Sequence, residues 1–109
     1  MKVHSALGPG LLESAYRACL SQELISQGLK LLCEWPLPVQ YNNTQVDVGY
    51  RIDLLVEDLV VVELKSGRKI VPVHEAQLLS YMKLSKRPVG LLINFNVVHL
   101  RHGIKRKVL

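Results

Sequence analysis

Two acids and one amine interrupt apolar runs in "YRIDLLVEDLVVVELK": Asp53 in the first run, Glu63 and Lys65 at the end of the second. Side chains alternate along a strand, so Glu63 and Lys65 emerge on one face with Val61, while Val62 and Leu64 point to the other. By the same rule Asp53 shares a face with Arg51 and Leu55, opposite Ile52 and Leu54. Two converging carboxylates can hold a hard cation such as Mg²⁺ (or Mn²⁺) through oxygen and leave positions open for water and phosphate. An adjacent lysine can orient or deprotonate that water and stabilise charge growing on the phosphoryl oxygens. Hydrolysis of a phosphodiester needs these services together, and Asp53, Glu63 and Lys65 are the right groups to supply them.

Whether the acids meet depends on register. A strict two-residue loop at Glu57-Asp58 sets Asp53 opposite Val62, whereas a three-residue loop or a bulge sets it opposite Glu63. The longer loop is the expectation. Taken alone, an acid-x-Lys at a strand end is more often a surface ion pair than a site, so its companions matter. Within a helical pattern from Leu11 to about Gln27, Glu13 projects between Tyr16, Leu20 and Leu24, inside an apolar stripe where an acid needs a partner or a metal. It could equally neutralise a neighbouring helix end. On a second helix, His74, Gln77 and Tyr81 fall on one face at spacings of three and four, beside Leu78 and Met82.

These residues need elements to carry them. Gly8-Pro9-Gly10 ends a first short helical segment, and Gly28 caps the helix that follows. "LKLLCEWPLPVQY" is an extended run whose prolines suggest an edge strand or a bulge. After a hairpin turn at Asn42-Asn43, "TQVDVGYRIDLLV" and "LVVVELK" are two further strands. Pro72 opens the helix "PVHEAQLLSYMKLS", "VGLLINF" is a fully apolar strand, and "VVHLRH" is expected to be one more. A strand, a crossover helix and a second buried strand imply a parallel pair, hence a mixed sheet in an α/β fold.

At 109 residues, 49% of them hydrophobic, the chain is expected to form one folded domain over residues 1–109. Cys19 and Cys33 lack metal-ligand spacing, and "MKVHSALGPG" has no apolar signal core, so a reducing cytoplasmic location is expected. The apolar runs fall short of the ~18 residues a membrane span needs, which argues against a membrane partner. The net charge of +5 is concentrated in "RHGIKRKVL", where Arg101, Lys105, Arg106 and Lys107 have no acid among them. That balance favours a polyanion, nucleic acid above all, although it also fits a solvated face. "LKSGRK" lacks the glycines of a phosphate-cradling loop, no Cys/His cluster suggests zinc, and no serine or cysteine has a triad context. The four histidines are scattered, most of them expected at the surface.

"GLLESAY", Gly10 through Tyr16, resembles the signature of the GxxExxY protein family, a branch of the PD-(D/E)XK nuclease superfamily. "YRIDLLVEDLVVVELK" is similar to that superfamily's Asp and Glu-x-Lys motif, "HEAQLLSYMK" to its Gln-x-x-x-Tyr helix, and "PVGLLINF" to its last core strand. The resemblance covers nearly the whole chain and implies a restriction-endonuclease-like core, αβββαβ, with a mixed central sheet flanked by helices. It implies Mg²⁺ or Mn²⁺ held by Asp53 and Glu63, with Lys65 serving the water. Glu13 would support the metal site, and Gln77 and Tyr81 would orient it or touch the phosphate backbone. Family members usually carry a longer helix before "HSALGPG", so the first helix is expected to be short here, which leaves the oligomeric state open, a homodimer included. The implied activity is that of a nuclease acting on DNA. Beside it stand a nucleic-acid-binding module of the same fold that cleaves little, and an interaction subunit whose basic tail meets an acidic protein.

Overall fold

The valines of "VVVELK" lie in the middle strand of a five-stranded sheet. The computed structural model describes residues 2–109. In chain order the elements are α1 Lys2–Leu7, α2 Glu13–Ser26, β1 Leu31–Pro36, β2 Val39–Tyr41, β3 Thr44–Val46, β4 Arg51–Val56, β5 Val60–Lys65, α3 Pro72–Ser85, β6 Val89–Asn94, a 3₁₀ turn Leu100–Gly103, and β7 Ile104–Val108. The main sheet has the order β1-β4-β5-β6-β7, and β2-β3 forms a separate hairpin. Among the described residues only the β5–β6 pair is parallel, joined through α3. This is the mixed α/β core that the apolar pattern implies.

Both faces of β5 are covered, which is why it reads as a continuous apolar run. Tyr16 of α2 and Val3 of α1 pack with Leu54, Val62, Leu64, Ile93 and Phe95 on one face. Leu78, Tyr81 and Met82 of α3 pack with Ile52, Leu55, Val61 and Leu92 on the other. Pro72 starts α3 at a position where its missing N–H costs nothing, and His74 Nδ1 accepts the Val71 N–H at 3.2 Å.

Three expected strands are redrawn. "LKLLCEWPLPVQY" is two elements, β1 and β2, divided where the prolines remove ladder donors. "TQVDVGYRIDLLV" is also two, β3 and β4: Asp47 Oδ1 accepts the Gly49 N–H at 3.0 Å, and Gly49 turns the chain with φ 84°. "VVHLRH" is no strand. It ends in the 3₁₀ turn, and the final strand is β7, "IKRKV", antiparallel to β6. Its lysines and arginine suit an exposed sheet edge, where charge discourages pairing with another chain. The Asn42-Asn43 hairpin turn is present, both residues left-handed with φ 48° and 62°.

Helix α3 approaches the sheet closely over Gly90, where an added Cβ would lie 2.5 Å from Met82 Sδ and 2.9 Å from Leu78 Cδ1. Gly90→Ala must therefore push α3 outward or force its side chains off rotamer. Urea denaturation should show a loss of about 1–3 kcal/mol relative to the unsubstituted chain.

Candidate functional site

The glycine, glutamate and tyrosine of "GLLESAY" do three different physical jobs. Gly10 has φ 101°, a conformation few side chains tolerate. Tyr16 is fully buried and stacks on Phe95 at 4.4 Å between ring centroids. Its hydroxyl donates to the Gly8 carbonyl and accepts the Leu11 N–H at 3.1 Å, so it fixes the turn that delivers α2. Glu13 is the first residue of α2 and is exposed, not buried in the apolar stripe expected for it. The stripe begins a turn later, because the helix starts at Glu13. Its Oε1 instead accepts the Ser66 N–H at 3.3 Å, and Ser66 Oγ donates to the Leu11 carbonyl. The start of α2 is thereby tied to the residue that follows Lys65.

The β4–β5 ladder runs from Val56↔Val60 to Leu54↔Val62 and encloses a three-residue loop, Glu57 to Leu59. Continuing that register sets Asp53 opposite Glu63. Beyond Leu54 and Val62 the two carboxylates take over the connection. Glu63 Oε1 accepts the Asp53 N–H at 3.2 Å, and Asp53 Oδ2 accepts the Leu64 N–H at 2.8 Å. The acids meet, but strict alternation does not describe how. Ile52 packs on the α3 face with Leu55, whereas Leu54 packs on the α2 face, so the strand changes hand at Asp53. The Asp53 carboxylate lies where the strands part, with Oδ1 3.8 Å from Arg17 Nη1.

Glu63 is 4% exposed. Burial, and then the neighbouring Asp53 carboxylate, push its pKa up to about 8. Lys65 stands on the same face and donates from Nζ to Gln77 Oε1 at 3.4 Å, and Gln77 Nε2 donates to the Tyr81 hydroxyl at 3.0 Å. Burial raises the pKa of that hydroxyl, which holds it as a neutral phenol. The half-exposed Tyr50 ring tilts against Tyr81 at 5.7 Å. Asp53 and Glu63 thus form one hydrogen-bonded pair across β4 and β5, and Lys65, Gln77 and Tyr81 a second chain from β5 to α3; the two sets lie within electrostatic reach of each other, and Glu13 borders them through Ser66.

The basic residues divide. Arg101, Lys105 and Arg106 are exposed, but Lys107 is half-buried and paired with Glu75 at 2.8 Å. Their register against β6 turns Lys105 and Lys107 toward the α3 face and Arg106 toward the other, so the four make no single patch. Arg68 and Lys69, exposed in the loop directly after β5, are nearer to Lys65 in the chain. That loop is held where Gly67 offers its carbonyl to Asn94 Nδ2 and Asn96 Nδ2, both at 3.1 Å. The test of "LKSGRK" as a phosphate-cradling loop looks for glycines and so does not register the pair. Two adjacent cations right after Glu-x-Lys are the signal that could have found them. Among the histidines, His4 is buried and donates from Nε2 to the Val97 carbonyl at 2.7 Å, so it is a core residue.

A divalent cation fits the donor set. Two carboxylates, one buried and one half-buried, lie together, and burial with the repulsion between them favours the protonated form of Glu63, a positive charge that a cation could supply instead. Among the described residues no group of three or more His, Cys, Asp or Glu side chains is arranged around a metal position. Two protein carboxylates with water filling the rest is the coordination Mg²⁺ accepts. A cleft of about 470 Å³ is lined by Leu11, Leu12, Glu13, Ser14, Arg17 and Ser66; neither acid lines it, and it approaches Asp53 through Arg17. Two larger clefts, near His4 and Arg101 and near Trp35 and Leu84, likewise contain neither acid of the pair.

A mixed sheet with helices on both faces, and an acid pair with a lysine at the end of its central strand, is the arrangement of a restriction-endonuclease-like domain. The family model described as the PD-(D/E)XK nuclease superfamily matches residues 1–107, and the chain belongs to that superfamily. No curated protein and no solved structure matches it. No helix among the described residues is long and apolar enough to cross a membrane.

The raised pKa of Glu63 has a pH signature in the metal-free protein. Below a carboxyl's ordinary 4.5, folded and unfolded chains both hold this proton; between 4.5 and about 8 the unfolded chain has released it and the folded chain keeps it. Stability should therefore fall as pH rises through that window, by an amount on the order of a few kcal/mol, and level off above it. Glu63→Gln should flatten the fall when denaturation midpoints are measured from pH 5 to 8.5 in chelator.

Proposed function

We propose that this protein is a metal-dependent nuclease that hydrolyses phosphodiester bonds in DNA. The observation that carries the reading is the meeting of Asp53 and Glu63 at the end of the central strand with Lys65 on the same face, in a chain of the PD-(D/E)XK nuclease superfamily. Asp53 and Glu63 would hold Mg²⁺ or Mn²⁺, which when bound supplies Lewis-acid stabilisation of the phosphoryl oxygens and a more acidic water.

The rest is the work of the chain itself. Lys65 presents its ammonium where a phosphate entering beside Glu63 places negative charge, and it can orient the attacking water. Gln77 holds Lys65 Nζ through its carbonyl oxygen while its amide nitrogen is engaged by Tyr81, which limits the amine's rotation. Glu13 and Ser66 brace the backbone just past Lys65. Arg68 and Lys69 meet backbone phosphates next to the reacting one, with Arg101, Lys105 and Arg106 contributing more distant attraction.

Incubating labelled single- and double-stranded DNA, with RNA alongside, in Mg²⁺, Mn²⁺ or chelator tests the reading. Cleavage should require metal, and Lys65→Ala, Asp53→Asn and Glu63→Gln should each lower its rate by about 100-fold or more. Absence of cleavage with every substrate, or undiminished cleavage by the Lys65 variant, overturns it. Binding without cleavage would mark a nucleic-acid-binding module instead.

The phosphate contacts have their own measure. Replacing Arg68 and Lys69 together by alanine should reduce the slope of log affinity against log salt by about two, while Lys107→Ala should change it little because Glu75 already neutralises that cation.

A further inference from the structure

Strand β1 runs antiparallel to β4 in one register on both sides of a gap. Leu31↔Val56, Leu32↔Leu55 and Cys33↔Leu54 pair on one side, Trp35↔Ile52 and Pro36↔Arg51 on the other, and the rung between them, Glu34 opposite Asp53, is missing. Equal residue numbers on the two strands exclude a one-sided bulge. Both strands change hand at this rung. In β1, Leu31 packs on the α2 face and Trp35 on the α3 face; in β4, Leu54 and Ile52 divide the same way. Glu34 adopts φ 49°, a left-handed conformation unfavourable for glutamate. A distortion of this kind persists only where its surroundings hold it.

Arg17 supplies such a hold. Its Nη2 lies 3.1 Å from Glu34 Oε1 and its Nη1 3.8 Å from Asp53 Oδ1. The Arg17 side chain is three-quarters buried, at 25% exposure. Its anchorage is firm, because the preceding residue is the fully buried Tyr16. A planar fork with donors on two sides can join two carboxylates in one geometry, which an ammonium cannot.

We propose that Arg17 is a positioning residue: by clasping Glu34 and Asp53 it fixes the missing rung and sets the direction from which the Asp53 carboxylate meets Glu63. The consequence for metal rests on the nuclease reading, whereas the consequence for the backbone does not. With the clasp in place, Asp53 Oδ1 is oriented and Oδ2 stays on the Leu64 N–H. Without it, Glu34 has no partner for its carboxylate, the strained rung relaxes, and Asp53 is free to rotate away from the gap.

The test uses Arg17→Ala, Arg17→Lys and Glu34→Gln with two readouts. Free-Mn²⁺ electron paramagnetic resonance gives metal affinity, and hydrogen exchange gives the opening of individual amides. Arg17→Ala should weaken Mn²⁺ binding by about 10-fold or more and speed exchange at the Asp53 and Leu64 amides, leaving the amides of α3 unchanged. Glu34→Gln should act in the same direction, the pair of substitutions together should lose no more than Arg17→Ala alone, and Arg17→Lys should restore only part of the affinity. Unchanged exchange at Asp53 and Leu64 in Arg17→Ala overturns the proposal. So does tighter Mn²⁺ binding, the result expected if Arg17 merely competes for Asp53. Should the unsubstituted protein bind no Mn²⁺, the nuclease reading fails while the exchange measurement still decides the clasp. If Arg17→Ala does not fold, Arg17→Lys and Glu34→Gln carry both readouts.

Discussion

Everything at the candidate site depends on how β4 and β5 stop pairing. Past Leu54 and Val62 the ladder is continued by two carboxylates, each accepting an N–H of the opposite strand. Backbone amides on a sheet must be satisfied, and here the satisfying groups are the two acids. That arrangement keeps Asp53 and Glu63 oriented without metal. It also confines Glu63 where water stabilises a second negative charge poorly, which favours its protonated form. The pair is held in one geometry by two hydrogen bonds from backbone amides, with the protonated form of Glu63 favoured by burial.

The helices divide the remaining work by face. α3 lies tightly on the sheet over Gly90 and brings Gln77 and Tyr81 to the lysine. α2 reaches the same strand end from the other side, and the features of "GLLESAY" explain how. The turn at Gly10 is pinned by the Tyr16 hydroxyl, so the helix begins where Glu13 can meet Ser66 and, one turn on, where Arg17 can meet Asp53 and Glu34. The signature is a device for aiming the first turn of a helix at the end of a strand.

Much of this was legible in residue order. The parallel β5–β6 pair follows from a buried strand, a crossover helix and a second buried strand. The meeting of Asp53 with Glu63 follows from loop length. Other features have no local signal. The missing rung at Glu34 leaves the register count intact and uses neither glycine nor asparagine for its left-handed residue, so nothing in the order of residues announces it. A helical wheel assigns angle but not where the helix starts, and this helix starts at Glu13, which therefore lies outside the apolar stripe. The strand β7 read as a charged tail, since "IKRKV" carries cations on both faces. It is a strand because β6 offers it an edge, a tertiary reason invisible to periodicity.

The misreading of β7 bears on where a polyanion would lie. A run of four cations in sequence suggests a patch, but a strand splits neighbours between two faces, and one of the four is already paired with Glu75. A loop does not impose that alternation. Arg68 and Lys69 follow Lys65 immediately, on a segment whose Gly67 carbonyl is held by two asparagines from the end of β6. Asn94 is buried, and it spends both ends of its amide on local backbone, its oxygen taking the Asn96 N–H. Under the nuclease function proposed above, the cations of that loop follow Lys65 on a held backbone, whereas the C-terminal ones are divided between two faces of a strand.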